Sequence, residues 1–281
     1  MKVAIIADIH GNVHALEAVL RDIERQHVDR VIVNGDLVNR GPNNVAVMER
    51  IWNEDFIFTL GNHDDLVRMW IDHDGIPESW YSDPFWKGTA VVAETLAESG
   101  WLEKLRGLPM THEIRIDGAP TVLISHGSPR HYREGYGFYT PDACLEEIAR
   151  EYPADILVGS HTHRTYDRRI NGRRFLNTGA VGAPFNRDPR AQYLLLELVD
   201  GEWRVEFRGV EYDRDAALAA FEETGFIEKG DLSAYIFREE LKYARPLYDP
   251  FWRWAEAENL PTNWKSWQRF RQRFPERFEP L

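Results

Sequence analysis

Apolar and polar positions over the first 72 residues fall into one unit used three times. A short apolar run from Met1 to Ala7 gives way to polar Asp8-Ile9-His10-Gly11-Asn12, and then Leu16, Val19, Leu20 and Ile23 recur at helical spacing. The unit returns as Val31 to Val33, the Gly- and Pro-punctuated loop Asn34 to Pro42, and the stripe Val45, Met48, Ile51 and Trp52. It returns again as Phe56 to Leu60, the turn Gly61-Asn62-His63-Asp64, and a helix carrying Leu66 to Ile71. Three strand-loop-helix units in succession predict parallel strands joined by right-handed crossovers. Their loops then share one edge of the sheet, the edge at which such sheets hold ligands.

The pattern changes after residue 72. Residues 73–106, with Trp80, Tyr81, Trp86 and Trp101 among acidic and helix-forming residues, predict helices inserted over one end of the sheet. Thr111 to Ile116 and Thr121 to Ser125 flank Asp117-Gly118-Ala119-Pro120, a hairpin signal, and Ile156 to Val158 is a further buried strand. Two more hairpins are predicted where Asn171-Gly172 separates Thr165–Ile170 from Arg173–Leu176, and where Asp200-Gly201 separates Gln192–Leu198 from Trp203–Phe207. The second half reads as largely antiparallel, and the class as mixed α/β (α+β) with two packed sheets. Amphipathic stretches near 213–223, 233–243, 250–258 and 264–273 predict a C-terminal helical extension. The expected division is one domain over 1–210, with its helical insert about 73–106, and the extension 211–281 packed on it.

Composition narrows the class of function. The 281 residues are 43% apolar and 28% charged, as in a globular protein. No window approaches the ~20 apolar residues of a membrane helix, and Asp8 and His10 break the apolar start before it reaches signal-peptide length. The lone Cys144 excludes an internal disulfide and a Cys-rich zinc site, so a metal site must use His and carboxylate ligands. The expected location is the cytoplasm. A net charge of −12 argues against a global electrostatic grip on nucleic acid. Phosphate, if handled, must be met by a local positive site.

Candidate chemistry sits where the strands end. Asp8 and His10 follow the first strand, two residues apart, so in an extended segment their side chains would point the same way. Asp36 follows the second strand and Asn62-His63 the third. His126 follows the strand Thr121–Ser125, and His161 and His163 follow Ile156–Val158. Each alone has an ordinary alternative, a helix cap or a turn residue. Ligand-type residues at five separate strand ends point instead to a metal centre on one rim.

The pieces Asp8-Ile9-His10, Gly35-Asp36, Gly61-Asn62-His63-Asp64, Ser125-His126-Gly127 and Gly159-Ser160-His161-Thr162-His163, in that order, resemble the calcineurin-like metallophosphoesterases over roughly residues 1–210. The resemblance implies a four-layer αββα sandwich with two divalent metal ions at the strand ends, manganese first, with iron, zinc or nickel also compatible. It implies that Asp8, His10 and His163 hold one ion, that Asn62, His126 and His161 hold the other, and that Asp36 bridges both. His63 would be catalytic, acting as imidazolium on the leaving oxygen, and a metal-bridging hydroxide would attack phosphorus directly.

The loop Gly35 to Pro42 is similar to that of the branch holding serine/threonine phosphoprotein phosphatases and symmetrical dinucleoside tetraphosphatases, which implies that Arg40 grips phosphate. The chain departs from those phosphatases at Asn39, where they carry an aspartate supporting the catalytic histidine. An amide cannot favour a charged His63 by a full opposite charge, which moves weight from monoesters toward phosphodiesters. The substrate expected is a phosphorylated small molecule or nucleotide, with a dinucleoside polyphosphatase, a protein phosphatase-like monoesterase, and a catalytically silent scaffold as alternatives. Asp64 is expected to cap the third helix. In the tail, Trp264, Trp267, Phe270 and Phe274 fall at helical spacing among basic residues, which predicts an aromatic stripe docked on the protein rather than a nucleic-acid surface.

Overall fold

The computed structural model describes residues 1–281. The three units form as predicted: β1 (Lys2–Ile6) and α1 (Val13–Gln26), β2 (Arg30–Asn34) and α2 (Asn44–Trp52), β3 (Ile57–Thr59) and α3 (Asn62–Asp72). β1 pairs parallel with β2, and β2 with β3. Helix α1 begins where the Asn12 side chain accepts the Ala15 N–H at 3.1 Å, and it buries Leu16, Val19 and Ile23. The insert supplies α4 (Glu78–Ser82), α5 (Lys87–Glu98) and α6 (Leu102–Leu105).

The second half adds β4 (Thr111–Ile114), β5 (Val122–Ser125), α7 (Asp142–Glu151), β6 (Ile156–Gly159), β7 (Thr165–Ile170), β8 (Arg173–Thr178), β9 (Ala191–Val199) and β10 (Glu202–Val210). The three hairpins form as predicted, but the strands between them do not continue antiparallel. β5 pairs parallel with β6, and β6 with β8, so the sheet ordered β4-β5-β6-β8-β7 is mixed. Parallel neighbours need a crossover. Helix α7, which the sparse apolar positions Leu145 and Ile148 did not reveal, supplies it between β5 and β6. The β9–β10 hairpin returns to the first sheet, where β9 lies antiparallel to β1 in the order β10-β9-β1-β2-β3.

The two sheets face each other across Val3, Ile5, Ile32, Val122, Ile124, Val158, Leu176, Leu194 and Leu196, all buried. Helix α7 covers the outer face of the second sheet through Leu145 and Ile148 against Leu157 and Phe175. On the outer face of the first sheet, α1, α2, α3 and α5 share one apolar cluster with the C-terminal helices α8 (Arg214–Glu223), α9 (Phe226–Tyr243), α10 (Tyr248–Ala257) and α11 (Trp264–Arg273). The result is a four-layer αββα sandwich. In α11 the predicted stripe is docked: Trp267 and Phe270 are buried and pack their rings against Phe251 of α10.

Candidate metal centre

Every strand that precedes a ligand-type residue ends on the same rim, but not in the extended form expected for Asp8 and His10. Both take left-handed backbone angles, φ 53° and 50°, as do Asp36, His161 and His163 at 54°, 58° and 56°. Five non-glycine residues in this disfavoured region need support from their surroundings. It comes from the crossing backbones: the N–H of Asp8 donates to Gly35 O at 3.1 Å, His10 N–H to Asp36 O at 3.1 Å, and Gly182 N–H to Asp8 O at 2.9 Å. Gly182 is required there, because a Cβ would lie 1.8 Å from the Ile9 carbonyl oxygen.

The turns bring all seven ligand-type side chains together. One oxygen or ring nitrogen from each of Asp8, His10, Asp36 and His163 lies within 4.8 Å of the others, and the same holds for Asp36, His126 and His161. Asn62 joins the second group, its Oδ1 lying 3.2 Å from His126 Nε2. His163 Nε2 is 3.3 Å from Asp8 Oδ1, and His126 Nε2 is 3.3 Å from Asp36 Oδ2. Donor atoms on one cation with bonds of ~2.1 Å stand about 3 Å apart, close to this spacing.

Three features fit a metal. Both oxygens of buried Asp8 and the Oδ2 of buried Asp36 have no hydrogen-bond partner, which is costly without a cation. Nδ1 of His10, His126 and His163 meets the carbonyls of Val38, Asn34 and Ala183 at 3.2, 2.9 and 2.6 Å. A carbonyl only accepts, so each Nδ1 carries a proton and Nε2 is the nitrogen turned to the cluster, as in a metal-ligating histidine. Asp36 Oδ1 accepts the His63 N–H at 2.7 Å, leaving only Oδ2 for cations.

Burial holds His10 well below the usual imidazole range and takes His161 down to about 3, helped by His126. Burial opposes charge on His126 too, but the adjacent Asp36 carboxylate overcomes it and pushes His126 up to about 10. The cluster therefore attracts positive charge at its centre.

His63 stands beside it, its ring 4.9 Å from that of His10 and edge-on. Its Nδ1 meets Asn39 Nδ2 at 3.0 Å. The Arg40 N–H donates to Asn39 Oδ1 at 2.8 Å, which fixes the amide with its NH₂ toward the imidazole. His63 Nδ1 therefore accepts, and the ring proton sits on Nε2. This differs from the expected imidazolium: burial drives His63 well below its usual range, against the pull of Asp36.

Asp64 caps α3 as expected, though from within its first turn: Gly61 is the residue at the helix start, and the Asp64 carboxylate takes its N–H in a capping box. Lying one turn in, it accepts the N–H groups of Gly61, Asp36 and Leu37 at 3.0, 2.8 and 2.9 Å, and so ties the second loop to the third. Burial and Asp36 push its carboxyl up to about 7.

Arg40 reaches the rim but is not free. Its guanidinium is paired with buried Glu240 of α9 and lies between the rings of Phe185 and Phe237, 5.4 and 5.0 Å from their centroids. The Glu240 Oε1 accepts the Leu247 and Tyr248 N–H groups at 2.7 and 2.8 Å. Arg40 nonetheless lines a cavity of about 660 Å³ together with Asp36, Asn62, His63, His161 and His163, a size usual for small-ligand sites.

Sequence reasoning missed several contributors. Asn34 Nδ2 donates to Ser125 O and Ser160 Oγ at 2.8 and 2.9 Å, while its Oδ1 accepts from Thr59 at 2.7 Å, a polar tie between the sheets beneath the cluster. Arg133, Arg164, Tyr248 and Trp252 line the cavity as well. No local signal separates these from ordinary surface arginines and core aromatics.

Fold and cluster define a class: an αββα protein with a buried imidazole–carboxylate site for metal at the ends of its strands. Comparison with known proteins agrees. Residues 1–165 match the family model described as calcineurin-like phosphoesterase, and the chain belongs to that family of metal-dependent phosphoric ester hydrolases. It is 27% identical over 226 residues to an uncharacterized protein of Methanocaldococcus jannaschii, covering 75% of this chain and 88% of that one. It is 25% identical over 175 residues to the symmetrical bis(5'-nucleosyl)-tetraphosphatase of Erwinia tasmaniensis, covering 61% of this chain and 57% of that one. Among solved structures, a metallophosphoesterase from Sphaerobacter thermophilus is 28% identical, with a TM-score of 0.67 over 87% of this chain and 99% of that one. A hypothetical protein from Pyrococcus horikoshii OT3, 24% identical, shares the fold with a TM-score of 0.69, over 84% of this chain and 97% of that one.

Proposed function

We propose that the chain hydrolyses phosphodiesters, with some turnover of monoesters, at a centre of two divalent metal ions. Asp8, His10 and His163 would hold one ion, Asn62, His126 and His161 the other, and Asp36 would bridge them through Oδ2. The observation that carries this reading is that Asp36 Oδ2 is unpartnered and common to both groups of imidazoles. Mixed nitrogen and oxygen donors suit manganese first, and equally iron, zinc or nickel, with availability deciding among them. Such ions supply Lewis acidity and a water of lowered pKa.

The residues of the chain do the rest. Two carboxylates against the four charges of two divalent ions leave the site positive, so it draws a phosphate group. His63 presents its Nε2–H to the leaving oxygen, oriented by Asn39. Arg40, its charge offset and its guanidinium steadied by Glu240, serves as a hydrogen-bond donor at the rim. A diester is favoured because no carboxylate supports a charged His63, and because the cavity has room for a group on either side of phosphorus. The single, partly buried Cys144 fits a reducing compartment such as the cytoplasm. No helix is long and apolar enough to cross a membrane.

The test loads metal-free protein with Mn²⁺, counts ions by elemental analysis, and compares methyl p-nitrophenyl phosphate with p-nitrophenyl phosphate. Two ions per chain and faster turnover of the diester are expected; turnover of the monoester alone would reject the preference. A dinucleoside polyphosphatase is the second reading, supported by the Arg40-Gly41-Pro42 loop and by the similarity to the tetraphosphatase. Diadenosine tetraphosphate in the same assay decides between them.

A further inference from the structure

Phe138 and Tyr139, 71% and 91% exposed, are the most exposed large apolar side chains of the chain, and they are neighbours. Both line the cavity that holds Asp36, Asn62, His161 and His163. Their exposure is built in. Tyr136 is fully buried and its carbonyl accepts Asn177 Nδ2 at 3.1 Å. Thr140 closes the turn, its N–H on Gly137 O at 3.0 Å and its hydroxyl bonded to Gly137 N and Gly135 O at 3.0 and 3.1 Å.

The segment passes close against one candidate metal ligand, His161. A Cβ at Gly135 would lie 2.6 Å from Thr162 Cγ2 and 3.3 Å from His161 Cδ2, so glycine permits the approach. Phe138 is three residues further on, no more than about 10 Å of chain from that contact. Arg133 and Arg164 line the same cavity. Unlike Arg40 and Arg253, paired with Glu240 and Asp249, neither has a carboxylate partner.

Resting on the phosphoesterase reading, we propose that Phe138 and Tyr139 form a stacking platform for a nucleobase, which makes the substrate a nucleotide ester. The scissile phosphate lies at the cluster, Arg133 and Arg164 offset the charge of the phosphate chain, and the base covers the two rings. Exposed aromatics beside unpaired arginines and a phosphate-attracting cluster match the three parts of a nucleotide. Stacking tolerates any base, since each has a π-face, so the platform selects nucleotides without selecting among them.

Two measurements test this on the manganese-loaded protein and its Phe138→Ala/Tyr139→Ala variant. The first compares thymidine 5′-p-nitrophenyl phosphate with methyl p-nitrophenyl phosphate, diesters with one leaving group. In the wild type kcat/KM is expected to favour the thymidine ester by about tenfold, the scale of one base–aromatic stack. The variant is expected to lose that advantage through KM. The second needs no turnover: calorimetry should find adenosine 5′-monophosphate bound about tenfold tighter than ribose 5-phosphate by the wild type, and equally by the variant.

A base advantage that survives in the variant, equal affinities in the wild type, or binding of neither ligand would each overturn the platform. A wild-type dimer that becomes a monomer in the variant, with no base advantage, would overturn it in favour of self-association. Failure to hydrolyse the methyl ester with both ions bound would reject the esterase reading, and calorimetry would still decide the platform.

Discussion

His10 and His163 face each other with their Nε2 atoms 3.2 Å apart, while the Nδ1 of each ring is turned to a backbone carbonyl. With the protons on Nδ1, two lone pairs oppose one another in a buried space, an arrangement a shared cation resolves. Metal should therefore stabilise the fold. With free Mn²⁺ at a thousand times its Kd, the gain is expected to be about 4 kcal/mol for one site. Thermal unfolding with and without a chelator measures it, and identical Tm values would contradict the assignment.

Asp36 and His63 touch through one hydrogen bond yet should fail differently. Asp36→Asn replaces the only carboxylate common to both imidazole groups, so both ions should bind more weakly. His63→Ala leaves every candidate ligand in place and should keep the ions while lowering turnover by about 10²-fold or more. Elemental analysis of both variants beside one rate assay separates the roles; a metal-free His63→Ala protein would show that the assignments are exchanged.

Asn39 donates to His63, where a carboxylate would accept. Asn39→Asp is therefore expected to move a proton to Nδ1 and favour the charged ring, raising the basic limb of the pH–rate profile by about one unit. Turnover of the monoester should rise relative to the diester. A profile that does not move would mean that this contact leaves the His63 proton where it was.

Glu240 is buried, paired with Arg40, and bonded to two backbone N–H groups at the start of α10. Breaking a buried pair by removing one partner strands the other, so Glu240→Ala is expected to cost about 3–5 kcal/mol in urea unfolding. Glu240→Gln keeps a hydrogen-bonding side chain and should cost less. A loss below about 1 kcal/mol for the alanine variant would show that the pair does not anchor the rim.

The metal-free protein should have a stability maximum near neutral pH. His10, His63 and His161 lie below their unfolded values, so in acid below about 6.5 the unfolded chain binds protons that the folded one refuses, and stability falls. Asp64, raised to about 7, works the other way across the same acid range but is one group against three. His126, raised to about 10, contributes stability below 6.5 that is lost as pH rises through 10. Tm measured from pH 4 to 10 without metal should pass through a maximum between 6 and 8, and a steady rise or fall across that range would refute the balance.

The strand-loop-helix units were legible because a period of two or of 3.6 depends on near neighbours in the chain, and ligand-type residues at strand ends stand out against apolar runs. The same locality explains the gaps. Helix α7 shows too few apolar positions to be recognised, and the parallel pairing that requires it joins strands 34 residues apart, Val122 with Ile156. Nothing near Arg40 reveals a carboxylate 200 residues away, nor does any neighbour in sequence tell that the Asn39 amide meets His63 at all. Residue types and their order along the chain named the chemistry available. Charge pairing, the histidine protons and the open faces of Phe138 and Tyr139 were settled by contacts between distant segments, because burial and electrostatics depend on distance in space.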